Sequence, residues 1–254
     1  MKISIITPTY NAEKYIEQTI RSVLEQQSEE FNLEHIIMDG ASSDQTASIV
    51  NEYVRKYPGI IRFISEKDKS LYDALNKGLM QSTGNIVGII TAGNVYLAGA
   101  LLKVFHKLNP ANELALVGGQ YFCKPDLKPI KKIVPKFMNN PTILSLVDCH
   151  VGDSSVFFKK EFFESLGNYN LQYIYSADFD LYYRYINSGR KFIIMEEALS
   201  KFIISDDQLS TKFANKQMQE TMDFIKYPNI YKISKKTKFS AVLWYLLRIY
   251  QKVV

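Results

Sequence analysis

Apolar positions along the first 120 residues follow two rhythms that take turns. Short β-rich runs at 3–7, 35–38, 60–64, 86–90 and 114–117 predict strands, the first closed by Pro8 and the second by Asp39-Gly40. Between them, residues 12–27 carry Tyr15, Ile16, Ile20, Val23 and Leu24 at helical spacing. Ser42, Ser43 and Asp44 supply N-cap chemistry for a helix running through Val50, Tyr53 and Val54. Helical patterns return at 71–81, stopped by Gly84, and at 97–108. Strands alternating with helices predict parallel pairing through right-handed crossovers, with helices on both faces of a doubly wound α/β sheet. Pro125, Pro129, Pro135 and Pro141 break residues 120–145 into loops and short strands. Order then returns as a strand at 155–158, helices at 160–166 and 178–187, a strand at 191–195 and a long helix at 208–227. The chain divides on this pattern into a first half (1–120), a second half of the same domain (121–227) and a tail (228–254).

Composition narrows the picture. With 254 residues, 46% apolar and 13% aromatic, the chain has ample material for a core, which excludes a disordered protein. Cys123 and Cys149 have no CxxC spacing, and His35, His106 and His150 are too dispersed for a zinc site. Free thiols and the lack of a signal-like or membrane-spanning apolar run predict a cytoplasmic protein. The net charge of +5 is concentrated late, at Lys232, Lys235, Lys236 and Lys238. Beyond them, Ser240, Arg248, Gln251 and Lys252 form a narrow polar stripe on an otherwise apolar segment with Trp244, Tyr245 and Tyr250. Such a segment suits an anionic membrane interface over residues 232–254, on the inner face. It equally suits packing on the core or on the mate of a homodimer. No base-reading or aromatic stacking platform accompanies the lysines, so nucleic acid is not an expected partner.

In an open parallel sheet, ligands bind beyond the carboxyl ends of the strands. Four segments fall at such ends: Thr7-Pro8-Thr9-Tyr10-Asn11, Asp39 to Asp44, Ser65-Glu66-Lys67-Asp68, and Thr91-Ala92-Gly93-Asn94. Their acidic and amide groups fit a polar ligand with many hydroxyls. No GxGxxG follows the first strand and no GxxxxGK[ST] occurs, which disfavours dinucleotide oxidoreductases and P-loop enzymes.

The segments PTYNAEKYI, IIMDGASSDQT and ISEKDKSLYDALNKGLMQSTGNIVGIITAGN resemble, in order and spacing, family 2 glycosyltransferases of the GT-A fold. HVGDSSVFFKKEFFESLGNYN and SADFDLYYRYINSGRKF resemble that family's acceptor-side segments, so the likeness runs to about residue 205. The resemblance implies a nucleotide-sugar donor, probed by Pro8, Thr9, Tyr10 and Asn11 at the uridine, with Glu13 supporting that shelf. It implies that Asp39 accepts hydrogen bonds from base or ribose, that Asp68 lies near the base, and that Tyr72, Asp73, Asn76 and Lys77 line the diphosphate side. Lys77 would meet phosphate charge. Ala92 and Asn94 would lie beneath the diphosphate. Asp178 would be the general base of an inverting transfer, with His150 and Asp153 as weaker acceptor-side candidates. Each position has a plainer reading from its residue type alone: Tyr10 as a packing aromatic, Asn11, Asp44 and Asp178 as helix caps, Asp39 as a turn residue, Asp73 and Lys77 as a solvated helix face.

One departure stands out. Where the family carries two neighbouring acids that hold Mg²⁺ or Mn²⁺, this chain has Thr91-Ala92-Gly93-Asn94, leaving only the neutral Asn94 as a metal ligand. The expectation is an active transferase acting on a saccharide or lipid-linked acceptor in surface polysaccharide or glycoconjugate biosynthesis. Its rival is a non-catalytic partner that binds the nucleotide sugar.

Overall fold

The computed structural model describes residues 1–135, 139, 152–204, 212, 213, 215–217, 219 and 220. Its strands are β1 (Lys2–Thr9), β2 (Asn32–Asp39), β3 (Ile61–Ser65), β4 (Ile86–Ile89), β5 (Val95–Tyr96), β6 (Ala115–Cys123), β7 (Pro129–Ile133), β8 (Val156–Lys159) and β9 (Ile193–Ile203). The helices are α1 (Ile16–Leu24), α2 (Thr46–Lys56), α3 (Leu71–Gln81), α4 (Ala100–Leu108), α5 (Lys160–Leu166) and α6 (Ala177–Asn187). A single sheet runs β3-β2-β1-β4-β8-β6-β9-β5, with β7 paired to β6.

β1 and β2 are buried along almost their whole length because helices cover both faces. α1, α2 and α4 pack on one side through Ile16, Ile20, Val50, Leu101 and Val104. α3, α5 and α6 pack on the other through Leu75, Phe162 and Leu181. Pro8 does not end β1 as its missing N–H predicts. β4 pairs only with Ile3–Ile6, so beyond Ile6 no ladder bond on that side is forfeited.

The four strands from β3 to β4 are parallel, as the alternation predicts. The second half is mixed: β8 runs antiparallel to β4 and to β6, while β9 runs parallel to β6. β6 and β9 extend well past the expected 114–117 and 191–195. Their extensions include buried polar partners, with Gln120 donating to Ser200 Oγ at 2.9 Å, so an apolar pattern does not mark them. The long helix expected at 208–227 is represented by helical residues 212, 215–217, 219 and 220, and its remainder lies outside the described residues, as do His150, Cys149 and the tail 228–254.

The chain travels from β1 outward to β2 and β3, then returns to place β4 on β1's other edge. This is the topological switch point, where a crevice opens beyond the strand ends. α3 reaches it because Gly78 lets the helix settle on β1. A Cβ there would come within 2.6 Å of Ile6 Cγ2.

Candidate active site

Two loops at the switch point are laced together. Asn11, in a left-handed backbone conformation, donates its N–H to Ser42 Oγ at 2.8 Å and accepts Ser43 N–H at 2.9 Å. Ala12 N–H donates to Thr46 Oγ1, Glu13 N–H to Asp44, and Gln45 N–H to Glu13. Asp44 also accepts Thr46 N–H at 3.0 Å at the start of α2, which is the capping role its residue type predicts. Glu13 thus supports the shelf by pinning its neighbour, as expected.

Asp39 is only 1% exposed. Its carboxylate takes Ser42 N–H at 3.0 Å, the Ser42 hydroxyl, and the Ser65 hydroxyl at 2.6 Å. It ties the ends of β2 and β3 together instead of standing open as an acceptor for base or ribose. Beside it, the exposed surface belongs to Tyr10, whose ring is 64% exposed and flanks Gly40. A Cβ on Gly40 would sit 3.3 Å from Tyr10 and 3.4 Å from Asp68, so glycine keeps the space between these two side chains clear. Thr9, paired in register with Asp39, has a buried hydroxyl with no hydrogen-bond partner among the described residues. Pro8 is buried within β1 beside it.

The diphosphate side departs from expectation. Lys77 Nζ is enclosed by Asp68 at 2.7 Å, Glu66 at 2.9 Å, the Lys67 carbonyl at 2.9 Å and Asp73 at 3.5 Å. Hydrogen bonds to Asp68 and Glu66 hold its ammonium well above the usual lysine range. Lys77 is therefore neutralised within its own loop and not presented to phosphate. Asn76 has a different task as well: its amide donates to Tyr169 O at 2.9 Å and accepts Tyr169 N–H at 3.0 Å, fastening α3 to the segment before α6.

The residues at the end of β4 do not fit a divalent metal. Asn94 is 1% exposed and its side chain is fully engaged. Nδ2 donates to Thr91 Oγ1 at 2.7 Å and Ser154 Oγ at 3.0 Å, while Oδ1 accepts Ile203 N–H at 2.9 Å. Thr19 and Gln18 of α1 hold the Gly93 and Asn94 backbone from below, with Ala92 half-buried at the turn. Among the described residues, no three or more histidine, cysteine or acidic groups are arranged to hold a metal ion. The assignment of Asn94 as a ligand is corrected accordingly: a carboxamide oxygen already taken by a backbone N–H has nothing left to offer a hard cation of that charge.

The acidic groups gather on the other side of the crevice. Asp178, in the first turn of α6, accepts the Tyr72 hydroxyl at 2.8 Å and the Phe179 N–H at 2.8 Å. Asp153, in the 3₁₀ turn Asp153–Ser155, accepts the hydroxyl of Tyr182. Both carboxyls keep partial access to solvent, yet tyrosines and apolar side chains surround them. Burial, followed by the charge of Asp178, pushes Asp153 up to about 7. Burial likewise raises Asp178, opposed by the Tyr72 and Phe179 hydrogen bonds. Asp180 is buried and paired with Arg184 at 2.8 Å, a structural link as its helical position predicts.

Tyr72, Tyr169 and Tyr182 are the residues that sequence reading missed around Asp178. Tyr72 was assigned to the diphosphate side, but its first-turn position on α3 aims it at α6. The Asp178 to Tyr182 spacing of four, which puts both on one helical face, was the available signal.

The residues 4–167 match the family described as "Glycosyl transferase family 2". Among curated relatives, an uncharacterised glycosyltransferase of Methanocaldococcus jannaschii is 26% identical over 214 residues, covering 80% of this chain and 70% of that protein. A probable glycosyltransferase of Bacillus subtilis is 31% identical over 132 residues, 44% of this chain and 31% of that one. Among solved structures, S. aureus TarS 1–349 in complex with UDP-GlcNAc is 15% identical with a TM-score of 0.67, covering 97% of this chain and 72% of that chain. The mannosyltransferase PcManGT of Pyrobaculum calidifontis, in complex with GDP-Man and Mn²⁺, is 18% identical with a TM-score of 0.61, over 92% and 65%. Fold and site together define a GT-A sugar-nucleotide transferase scaffold. This chain belongs to glycosyl transferase family 2.

Proposed function

We propose that this protein is an inverting glycosyltransferase that moves a sugar from a uridine-type nucleotide donor to a hydroxyl of a saccharide or lipid-linked acceptor. One observation carries the reading: α3 joins the two sides of the crevice. Its Tyr72 holds Asp178, and the next residues along it, Asp73 and Lys77, hold Asp68. The helix sets nucleoside loop and base in fixed relation.

In this reading, the base of the donor lies on Tyr10, with Asp68 and the unpartnered Thr9 hydroxyl at its edge and Asp39 shaping the loop beneath. Asp178 takes the acceptor's proton as its oxygen attacks the anomeric carbon, and the carbon–oxygen bond to the diphosphate breaks on the opposite side. Fixed relative placement of donor and base lowers the barrier by removing orientational entropy. No step draws on a metal, because the turn at Asn94 has no ligand to give. Exposed Leu171 and Ile174, close in sequence to Asp178, favour an acceptor with an apolar portion. The basic, apolar tail would bring the enzyme to the cytoplasmic face of a membrane, where such an acceptor resides. No helix among the described residues is long and apolar enough to cross a membrane.

The test is a transfer assay with mixed nucleotide sugars and saccharide or lipid-linked acceptors. Transfer that is lost in Asp178→Ala supports the reading. Nucleotide binding without transfer to any acceptor, with no effect of Asp178→Ala, favours instead a sugar-nucleotide-binding partner, the reading that the occupied Asn94 turn motivates. Removing residues 240–254 should abolish sedimentation with anionic vesicles; persistence would make the tail a packing helix.

A further inference from the structure

The acceptor side contains a carboxyl that the transfer reaction as described does not use. Asp178 and Tyr182 lie four residues apart on one face of α6, and Asp153 receives the Tyr182 hydroxyl. Asp153 therefore packs against the same helical face that presents Asp178. From α3, Tyr72 closes the group by donating to Asp178, and its ring lies 5.3 Å from that of Tyr169. Tyr169 is 3% exposed and its hydroxyl has no hydrogen-bond partner among the described residues. The arrangement is two carboxyls facing one crevice wall, enclosed by three tyrosines from α3, α6 and the segment between α5 and α6.

We propose that Asp153 and Asp178 act as a dyad that holds one proton between them, with Asp153 as the positioning residue that sets the basicity of Asp178. The inference rests on Asp178 being the general base. Two like charges in a poorly solvated site cannot both be carried, so one proton stays with the pair. The donors decide which carboxyl keeps it. Asp178 accepts two hydrogen bonds and lies at the positive end of α6, both of which favour its ionised form. Asp153 accepts one, from a neutral phenol. Asp153 therefore carries the proton and Asp178 the charge. The other titratable groups facing the pair are Glu220, which repels charge on Asp178, and Arg184, which acts on Tyr169. Burial and the neighbouring acids hold Tyr72, Tyr169 and Tyr182 well above the usual phenol range, so they remain neutral.

The consequence is functional. A lone carboxylate of ordinary pKa is a weak base at neutral pH, and a base poised nearer to 7 removes a hydroxyl proton better. When Asp178 takes the acceptor's proton, the pair holds two protons and no charge. It returns one to solvent after the nucleotide leaves.

The test is a titration of the unliganded full chain labelled with ¹³C at aspartate carboxyls, followed by NMR from pH 4 to 9. Expected is a carboxyl transition near neutral pH that disappears in both Asp153→Asn and Asp178→Asn. If all aspartates titrate in the ordinary range, the proposal fails whatever the activity. In parallel, the acidic limb of the transfer pH profile should move down by about one pH unit or more in Asp153→Asn, with the rate falling most at neutral pH. A limb that stays in place while the rate drops uniformly would reduce Asp153 to a structural residue and overturn the proposal. Retained transfer by Asp178→Asn, with the NMR transition intact in the wild type, would instead overturn the base assignment beneath it.

Discussion

The two walls of the crevice treat polar groups in opposite ways. On the nucleoside wall, nearly every side chain is satisfied by a neighbour. Asp39 has three donors, Asn11 and Glu13 bind the α2 loop, and Lys77 is ringed by carboxylates. On the acceptor wall, Asp153 and Asp178 are pressed together among tyrosines, and their carboxyls are pushed upward. The first arrangement builds a rigid platform. The second keeps an unfavourable charge distribution that the fold tolerates, which is where reactive groups are found. Binding and chemistry are thus assigned to different walls, and each assignment can be broken separately.

The largest effect is expected from Asp178→Asn. Losing the general base should lower the transfer rate by roughly 10²- to 10⁴-fold while donor affinity, measured by calorimetry, stays the same. Tyr10→Ala should do the reverse. Loss of base stacking on an exposed ring costs about 1–3 kcal/mol of donor affinity, and the melting temperature should hardly move because Tyr10 supports little of the core. Asp39→Ala should be read first as instability. It leaves the Ser42 N–H and two hydroxyls without their acceptor, a loss of about 1–3 kcal/mol in urea unfolding. An Asp39→Ala protein of unchanged stability that binds no donor would return Asp39 to direct contact with the ligand. Tyr72→Phe removes a single hydrogen bond from Asp178 and should cost about 1 kcal/mol in transfer, with the donor affinity unaltered.

The smallest effect is a pH dependence of stability. Asp153 is raised in the folded protein above the ordinary carboxylate value near 4. Its contribution is therefore fully present below that ordinary value and is lost as pH rises through about 7. Urea midpoints for the wild type should fall between pH 5 and pH 8, and Asp153→Asn should flatten that fall. An unchanged slope would show that the acceptor wall carries no such strain.

Much of the scaffold was legible because helices on both faces force continuous apolar strands, and α3 and α5 matched their expected bounds. The capping role of Asp44 and the structural role of Asp180 also followed from spacing. β6 and β9 escaped because Gln120 and Ser200 satisfy each other inside the sheet, a pairing across 80 residues that no local pattern carries. At the site, residue types pointed to the right loops but not to the directions of their side chains. Lys77 looked free until Glu66, Asp68 and Asp73 closed on it. Asn94 looked like a residual ligand until Ile203, more than 100 residues away, claimed its oxygen. Asp153 gained its place by meeting Tyr182 across the fold.

The division between the walls is tested most directly by one measurement, the transfer rate at saturating donor in Tyr10→Ala and Asp178→Asn beside the wild type. The account predicts that Tyr10→Ala regains the wild-type rate once donor is saturating, whereas Asp178→Asn stays at least about a hundredfold slower. Recovery of Asp178→Asn at high donor, or a persistent deficit in Tyr10→Ala alone, would contradict it.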